Sequence, residues 1–124
     1  MTVPILKQGG VLIASIQSAL SDQDLVQLRD DFADQVGRLR IQGVIIDVTA
    51  LDVLDSFATR TVRGIAYVAK LRGATTVVVG IQPEVAFAMV QLGLSLDGVA
   101  TALDLEEGLA HLNDTANGSP GYAS

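Results

Sequence analysis

Cysteine is absent from the 124-residue chain, and histidine occurs once, at His111. The missing cysteines exclude disulfides, thiolate catalysis and cysteine metal sites. A single histidine cannot build a polyhistidine metal site, and a serine–histidine–aspartate triad would have to use His111. Because His111 falls in the last predicted helix, near the end of the chain, we interpret it as an exposed helix-terminal residue. We therefore expect no catalytic residue, no metal site and no bound cofactor.

Long hydrophobic runs are also missing, although the mean hydropathy is high at +0.43. The longest fully apolar stretches are residues 44–46, 77–79 and 85–90. A membrane-spanning helix needs roughly 20 consecutive apolar residues. The N-terminus lacks the basic region and apolar core of a signal peptide. These features predict a soluble, cytoplasmic protein without a membrane segment.

Positive charge is scarce, since 8 lysines and arginines stand against 14 aspartates and glutamates, for a net charge of −6. Binding to nucleic acid or to an anionic membrane requires clustered basic residues, so this balance disfavours both. Only 18 % of the residues are charged. With so few charges, we expect a large share of the surface to be apolar. Such a surface suits assembly with other protein subunits.

The hydrophobic pattern predicts strands that alternate with helices in one domain. Two short strands, residues 3–6 and 11–16, flank the hairpin signal Gly9-Gly10. Ser21 is typical of a helix N-cap, with Asp24 three places later. The β-branched run at residues 44–48 lacks alternation, which indicates a central strand covered on both faces.

The resulting order is β-β-α-β-α-β-α-β-α, which places the chain in the α/β class. We expect a mixed, mostly parallel sheet of about five strands packed by about four helices. The domain is predicted to cover residues 3–112. Residues 113–124 are small or polar and are interpreted as a flexible C-terminal tail.

No phosphate-binding loop and no dinucleotide-binding glycine motif occurs in the sequence. Asp47, Asp52 and Asp55 could form a magnesium cluster. We favour the alternative interpretation, in which the three aspartates are a strand-end residue followed by turn and helix N-cap residues.

Ser56 stands out because it follows a buried strand and opens a helix, beside Asp52 and Asp55. A phosphate at a helix start can be held by unpaired backbone N–H groups. It would also add about −1.5 to −2 charges next to two carboxylates. The pattern therefore fits a phosphorylation switch, and it also fits an ordinary capping serine.

A candidate partner-binding surface surrounds Ser56. Its members share the Ser56 loop and the helix that follows: Asp52, Asp55, Phe57, Thr59, Arg60 and Arg63. The stripe of Arg60, Arg63, Tyr67 and Lys70 could contact a kinase or could be a solvated helix face.

Residues 43–57 resemble the phosphorylation-site segment of STAS domains, the fold of anti-anti-sigma factors. Residues 4–7, 15–17, 80–85, 92–95 and 101–109 resemble the RsbS branch of that family. The resemblance covers roughly residues 3–112. In other anti-anti-sigma factors a small residue commonly follows the switch serine, whereas Phe57 stands here.

The resemblance implies a non-enzymatic scaffold and phospho-switch of the bacterial stressosome, with Ser56 as the phosphorylated residue. The implied partners are an RsbT-type serine kinase, RsbR-type paralogues in a large mixed assembly and an RsbX-type phosphatase. Self-association as a dimer is also implied. RsbR-type proteins carry an additional N-terminal sensor domain, for which this chain has no room. The alternative is a free anti-anti-sigma factor that binds an anti-sigma kinase in a small complex.

Overall fold

The computed structural model describes residues 3–116 and contains one five-stranded sheet with four helices. The strands are β1 (Ile5–Gln8), β2 (Val11–Ser15), β3 (Gly43–Asp47), β4 (Thr75–Val79) and β5 (Ala100–Ala102). The helices are α1 (Asp22–Arg38), α2 (Ser56–Leu71), α3 (Pro83–Gln91) and α4 (Leu105–Ala116). This element order and the α/β class are those predicted from the sequence.

The five strands lie in the sheet in chain order, β1-β2-β3-β4-β5. β1 and β2 form the antiparallel hairpin, in which Gly9 has a φ of 60°. The remaining neighbours are parallel, with Val11 beside Gly43, Gly43 beside Thr75 and Val77 beside Ala100. Because parallel strands run in one direction, the carboxyl ends of β2 to β5 meet at one edge of the sheet.

Each face of the sheet has its own core. One core joins the apolar faces of α1, α2 and α3 to alternate residues of β2, β3 and β4. The other lies under α4, where Leu112 packs with Ile45, Val77 and Val79. The central strand β3 is thus covered on both sides, as its unbroken apolar run indicates.

Residues typical of helix N-termini stand at the starts of α1 and α3. Ser21 and Asp24 form a reciprocal capping box at α1, with the Ser21 hydroxyl accepting from the Asp24 N–H at 3.1 Å. Pro83 opens α3, where the missing N–H costs no hydrogen bond. None of the described helices is both long and apolar enough to cross a membrane.

The predicted boundary between domain and tail is corrected by α4, which continues to Ala116. Residues 113–116 are therefore helical and do not belong to a tail. Nothing in the sequence of residues 113–116 ends the helix, since this segment contains neither glycine nor proline. The rest of the predicted tail, residues 117–124, lies outside the described residues.

Gly80 follows β4 at the carboxyl edge of the parallel strands and has a φ of 81°. A Cβ at this position would collide with the Thr49 hydroxyl. Gly73 has a similar φ of 86°, but a Cβ there would meet no atom within 4 Å. Substitution of Gly73 therefore causes backbone strain alone, whereas substitution of Gly80 causes the same strain and a steric clash with Thr49.

We expect Gly73→Ala to lower the free energy of unfolding by about 1 kcal/mol, because only the left-handed conformation is penalised. Gly80→Ala should lose a further ~1–3 kcal/mol, since the loop that carries Thr49 must also shift. Urea unfolding of both variants checks this, and equal losses would contradict it.

Candidate functional site

The candidate site lies where the chain leaves β3 and enters α2. Asp47 ends β3, and its Oδ1 accepts hydrogen bonds from the Thr49 N–H at 2.9 Å and the Thr49 hydroxyl at 2.6 Å. The Val48 N–H donates to the Val79 carbonyl at 3.0 Å, which extends the sheet pairing by one residue. Asp47 is therefore occupied in shaping the turn.

Two buried leucines fix the loop that follows. Leu51 and Leu54 both insert into the core shared with α1 and α2. Asp52 and Val53 stand between them and are exposed. The two buried leucines anchor the loop in the core, and the loop exposes Asp52 and Val53 to solvent.

Asp55 is the N-cap of α2, because its Oδ1 accepts from the Ala58 N–H at 2.8 Å. Ser56 is thus the first helical residue and does not cap the helix. Its side chain is exposed and forms no hydrogen bond to another described residue. The capping interpretation of Ser56 is consequently wrong, since Asp55 performs that role.

The next residues form a small surface around Ser56. The Phe57 ring is partly buried, and the Arg60 guanidinium carbon lies 5.8 Å from its centroid. This distance allows a cation–π contact. Asp52, Asp55, Phe57 and Arg60 all lie within one turn of the start of α2 or in the preceding loop, so the structure brings these predicted residues together.

Thr59 does not belong to this surface, contrary to the sequence prediction. It is only 1 % exposed, and its hydroxyl donates to the Asp55 carbonyl at 2.8 Å. Helical rotation turns residue 59 toward the core, on the same side as Val62 and Ala66. A partner on the surface cannot contact its hydroxyl.

Arg63 lies farther along α2 and faces a different neighbour. It is partly buried, and its Nη1 donates to the Ser95 carbonyl at 3.3 Å. The predicted surface is therefore divided into the Ser56 surroundings and a second region along α2.

Sequence reasoning missed a mostly apolar cavity that is lined in part by Asp55, the residue before Ser56. Val53 is 64 % exposed at its rim, and Ile16, Leu20 and Ala58 also line it. The cavity volume is about 60 Å³. The sequence feature that could have indicated this cavity is Val53, an apolar residue between Asp52 and Leu54 in a loop.

Among the described residues, no three histidine, aspartate or glutamate side chains come together in a way that could hold a metal ion. Asp47 and Asp55 use their carboxylates for backbone turns, and Asp52 is exposed in the loop. His111 is exposed on α4. The arrangement offers an accessible hydroxyl at a helix start.

Comparison with known proteins relates this geometry to one family. The model of the STAS domain family matches residues 2–108. An RsbS variant of Moorella thermoacetica, carrying a serine-to-glutamate substitution, is 36 % identical, with a TM-score of 0.81 over 93 % of this chain and 97 % of that chain.

A chain in a structure of the stressosome, described as a signal integration and transduction hub, is 38 % identical. Its TM-score is 0.77 over 91 % of this chain and 98 % of that chain. The RsbT co-antagonist protein RsbRA of Bacillus subtilis is 24 % identical over 107 residues, or 86 % of this chain. The chain spans 38 % of the length of RsbRA.

The N-cap of α2 yields a stability prediction. Asp55→Ala should lower the free energy of unfolding by about 1 kcal/mol, because the Ala58 N–H loses its acceptor. Asp55→Asn keeps an acceptor oxygen and should retain most of that stability. Asp52→Ala removes an exposed aspartate three residues away and is the matched control. Urea unfolding measures all three, and an effect of Asp52→Ala equal to that of Asp55→Ala would refute the assignment.

Proposed function

The chain belongs to the STAS domain family and, within it, to the group of the stressosome protein RsbS, and we propose that it is a scaffold and phospho-switch in bacterial stress signalling. In this proposal it assembles with RsbR-type paralogues in the cytoplasm and holds an RsbT-type serine kinase. Phosphorylation of Ser56 releases the kinase, and an RsbX-type phosphatase restores the original state. The kinase and the phosphatase supply the chemistry, so the chain needs no catalytic residue of its own.

One observation carries the proposal: the Ser56 hydroxyl is exposed and has no structural task. Asp55 caps α2, and the loop is anchored by Leu51 and Leu54. A kinase can therefore approach the hydroxyl without displacing a bond that the fold requires. A serine that capped its own helix would have to give up that hydrogen bond before transfer.

Phosphate at Ser56 is compatible with the helix. The first intrahelical bond runs from the Thr59 N–H to the Asp55 carbonyl. The N–H groups of Ser56 and Phe57 precede it and have no intrahelical acceptor. These donors and the positive end of the helix dipole favour an anion at this position.

The same phosphate changes the charge of the surface that a bound partner would contact. About −1.5 to −2 charges would be added beside Asp52 and Asp55. Arg60 lies one helical turn beyond Ser56, where it could pair with the phosphate and leave the Phe57 ring. A partner docked on this loop would lose complementary charge while the fold persists, which is the behaviour required of a switch.

Incubation with ATP and the cognate RsbT-type kinase should add one phosphate to the wild-type chain and none to Ser56→Ala. Ser18→Ala removes another exposed hydroxyl, away from the start of α2, and should leave the phosphate in place. Intact-mass and peptide mass spectrometry identify the modified residue. Phosphate on Ser56→Ala, or no phosphate on the wild type with an active kinase, would count against the proposal.

Mixing with an RsbR-type paralogue should yield one assembly far larger than a dimer that contains both chains. This follows from the stressosome role, since a scaffold acts by collecting many subunits. Size-exclusion chromatography with light scattering measures the mass. A compact heterodimer with an anti-sigma kinase, and no assembly with any RsbR-type chain, would favour the free anti-anti-sigma factor.

A further inference from the structure

A groove runs along α2 on the side that faces away from α1. It is lined by Arg63, Ala66, Tyr67, Lys70, Asp97 and Gly98, and its volume is about 470 Å³. α2 packs closely against α1, whereas α3 makes no comparably close approach to α2. The turn at Asp97 and Gly98 forms the opposite wall. A volume of this size lies in the range of sites that accept ligands.

The groove concentrates positive charge in an acidic protein. The 16 residues of α2 include Arg60, Arg63 and Lys70 but no aspartate or glutamate, although the net charge of the chain is −6. Each of the other described helices carries acidic residues. α2 is therefore the basic helix of the described fold, and two of its three cations, Arg63 and Lys70, line the groove.

These cations lack the carboxylate partners that other arginines have. On α1, Arg29 lies 3.2 Å from Asp30, and Arg38 lies 2.9 Å from Asp34. Among the described residues, no carboxylate lies within salt-bridge distance of Arg63 or Lys70. Asp97 lines the same groove without forming an ion pair to either cation, so two positive charges and one negative charge leave the lining with a net charge of +1. The positive potential in the groove is thus left for a ligand from outside.

The length of the groove favours an acidic peptide segment over a small anion. Seven residues separate Arg63 from Lys70, a distance of roughly 10 Å along a helix. This length matches about three extended residues. Tyr67 lines the groove and is 63 % exposed, so a contact with its ring is available beside the cations. A segment with alternating acidic and apolar side chains fits this chemistry.

We propose that the groove docks an acidic segment of the kinase that acts on Ser56. Both features lie on α2, with Arg63 seven residues beyond Ser56, or roughly 10 Å along the helix axis. A kinase domain placed over the hydroxyl can reach the groove at the same time. The inference rests on the proposed function and gives it a recognition element remote from the phosphorylated residue.

The test compares two double variants with the same change in charge. Arg63→Gln with Lys70→Gln removes two cations from the groove, and Arg29→Gln with Arg38→Gln removes two from α1. Lys70→Gln alone is included, because Arg63 also contacts the Ser95 carbonyl and its loss could disturb the fold. Kinase affinity is measured with chains carrying Ser56→Ala, and phosphorylation kinetics with chains that retain Ser56.

The groove double variant should weaken kinase binding and raise KM by roughly three- to tenfold, with kcat unchanged. Lys70→Gln should show a smaller effect in the same direction, and the α1 control should behave as wild type. The difference should shrink as the ionic strength rises, because exposed charges are screened.

Equal binding and equal KM for the groove and α1 variants would overturn the docking site and leave the phospho-switch standing. Absence of both binding and phosphorylation in the wild type would overturn the two proposals together. If the groove variant changed only the self-association of the isolated chain, or only its binding of inorganic phosphate, the groove would serve a second copy or a small anion instead.

Discussion

The fold depends on covering the central strand on both faces. Val44, Ile45 and Ile46 are each 0 % exposed, so apolar layers must lie above and below β3. Right-handed crossovers place α1, α2 and α3 on one side, and α4 closes the other. A parallel sheet then gathers the carboxyl ends of its strands at one edge. The loop that carries Ser56 leaves the sheet at that edge, so its position follows from the core.

At the candidate site, a firmly anchored loop and helix start carry the Ser56 hydroxyl, which forms no hydrogen bond to another described residue. Leu51 and Leu54 hold the loop through burial, and Asp55 holds the start of α2 through one hydrogen bond. Ser56 depends on these contacts, and its side chain forms no hydrogen bond to another described residue. A modification there changes charge on the surface and leaves the supporting contacts intact. Farther along the same helix, Arg63 and Lys70 line the groove proposed as a separate recognition region.

Much of this could be predicted, because the signals are local. The alternation of strands and helices, the hairpin at Gly9 and the capping box at Ser21 each depend on neighbouring residues. Thr59 was misplaced because its polar side chain suggested a surface position, whereas its spacing from Val62 puts it on the buried face. The tail was begun too early, since polar residues alone do not end a helix. Helical spacing predicts the stripe of Arg60, Arg63, Tyr67 and Lys70, but the groove also depends on where the turn at Asp97 lies relative to α2, which local sequence does not show.

In the proposed switch, a phosphate on Ser56 lowers kinase affinity without unfolding the helix that carries it. The most direct measurement compares kinase binding to the chain with phosphoserine installed at position 56 during synthesis and to the unmodified chain, alongside circular dichroism of both. The account predicts at least a tenfold loss of affinity, or about 1.4 kcal/mol, with unchanged helix content. Equal affinity for the two chains, or a loss that accompanies melting of α2, would contradict it.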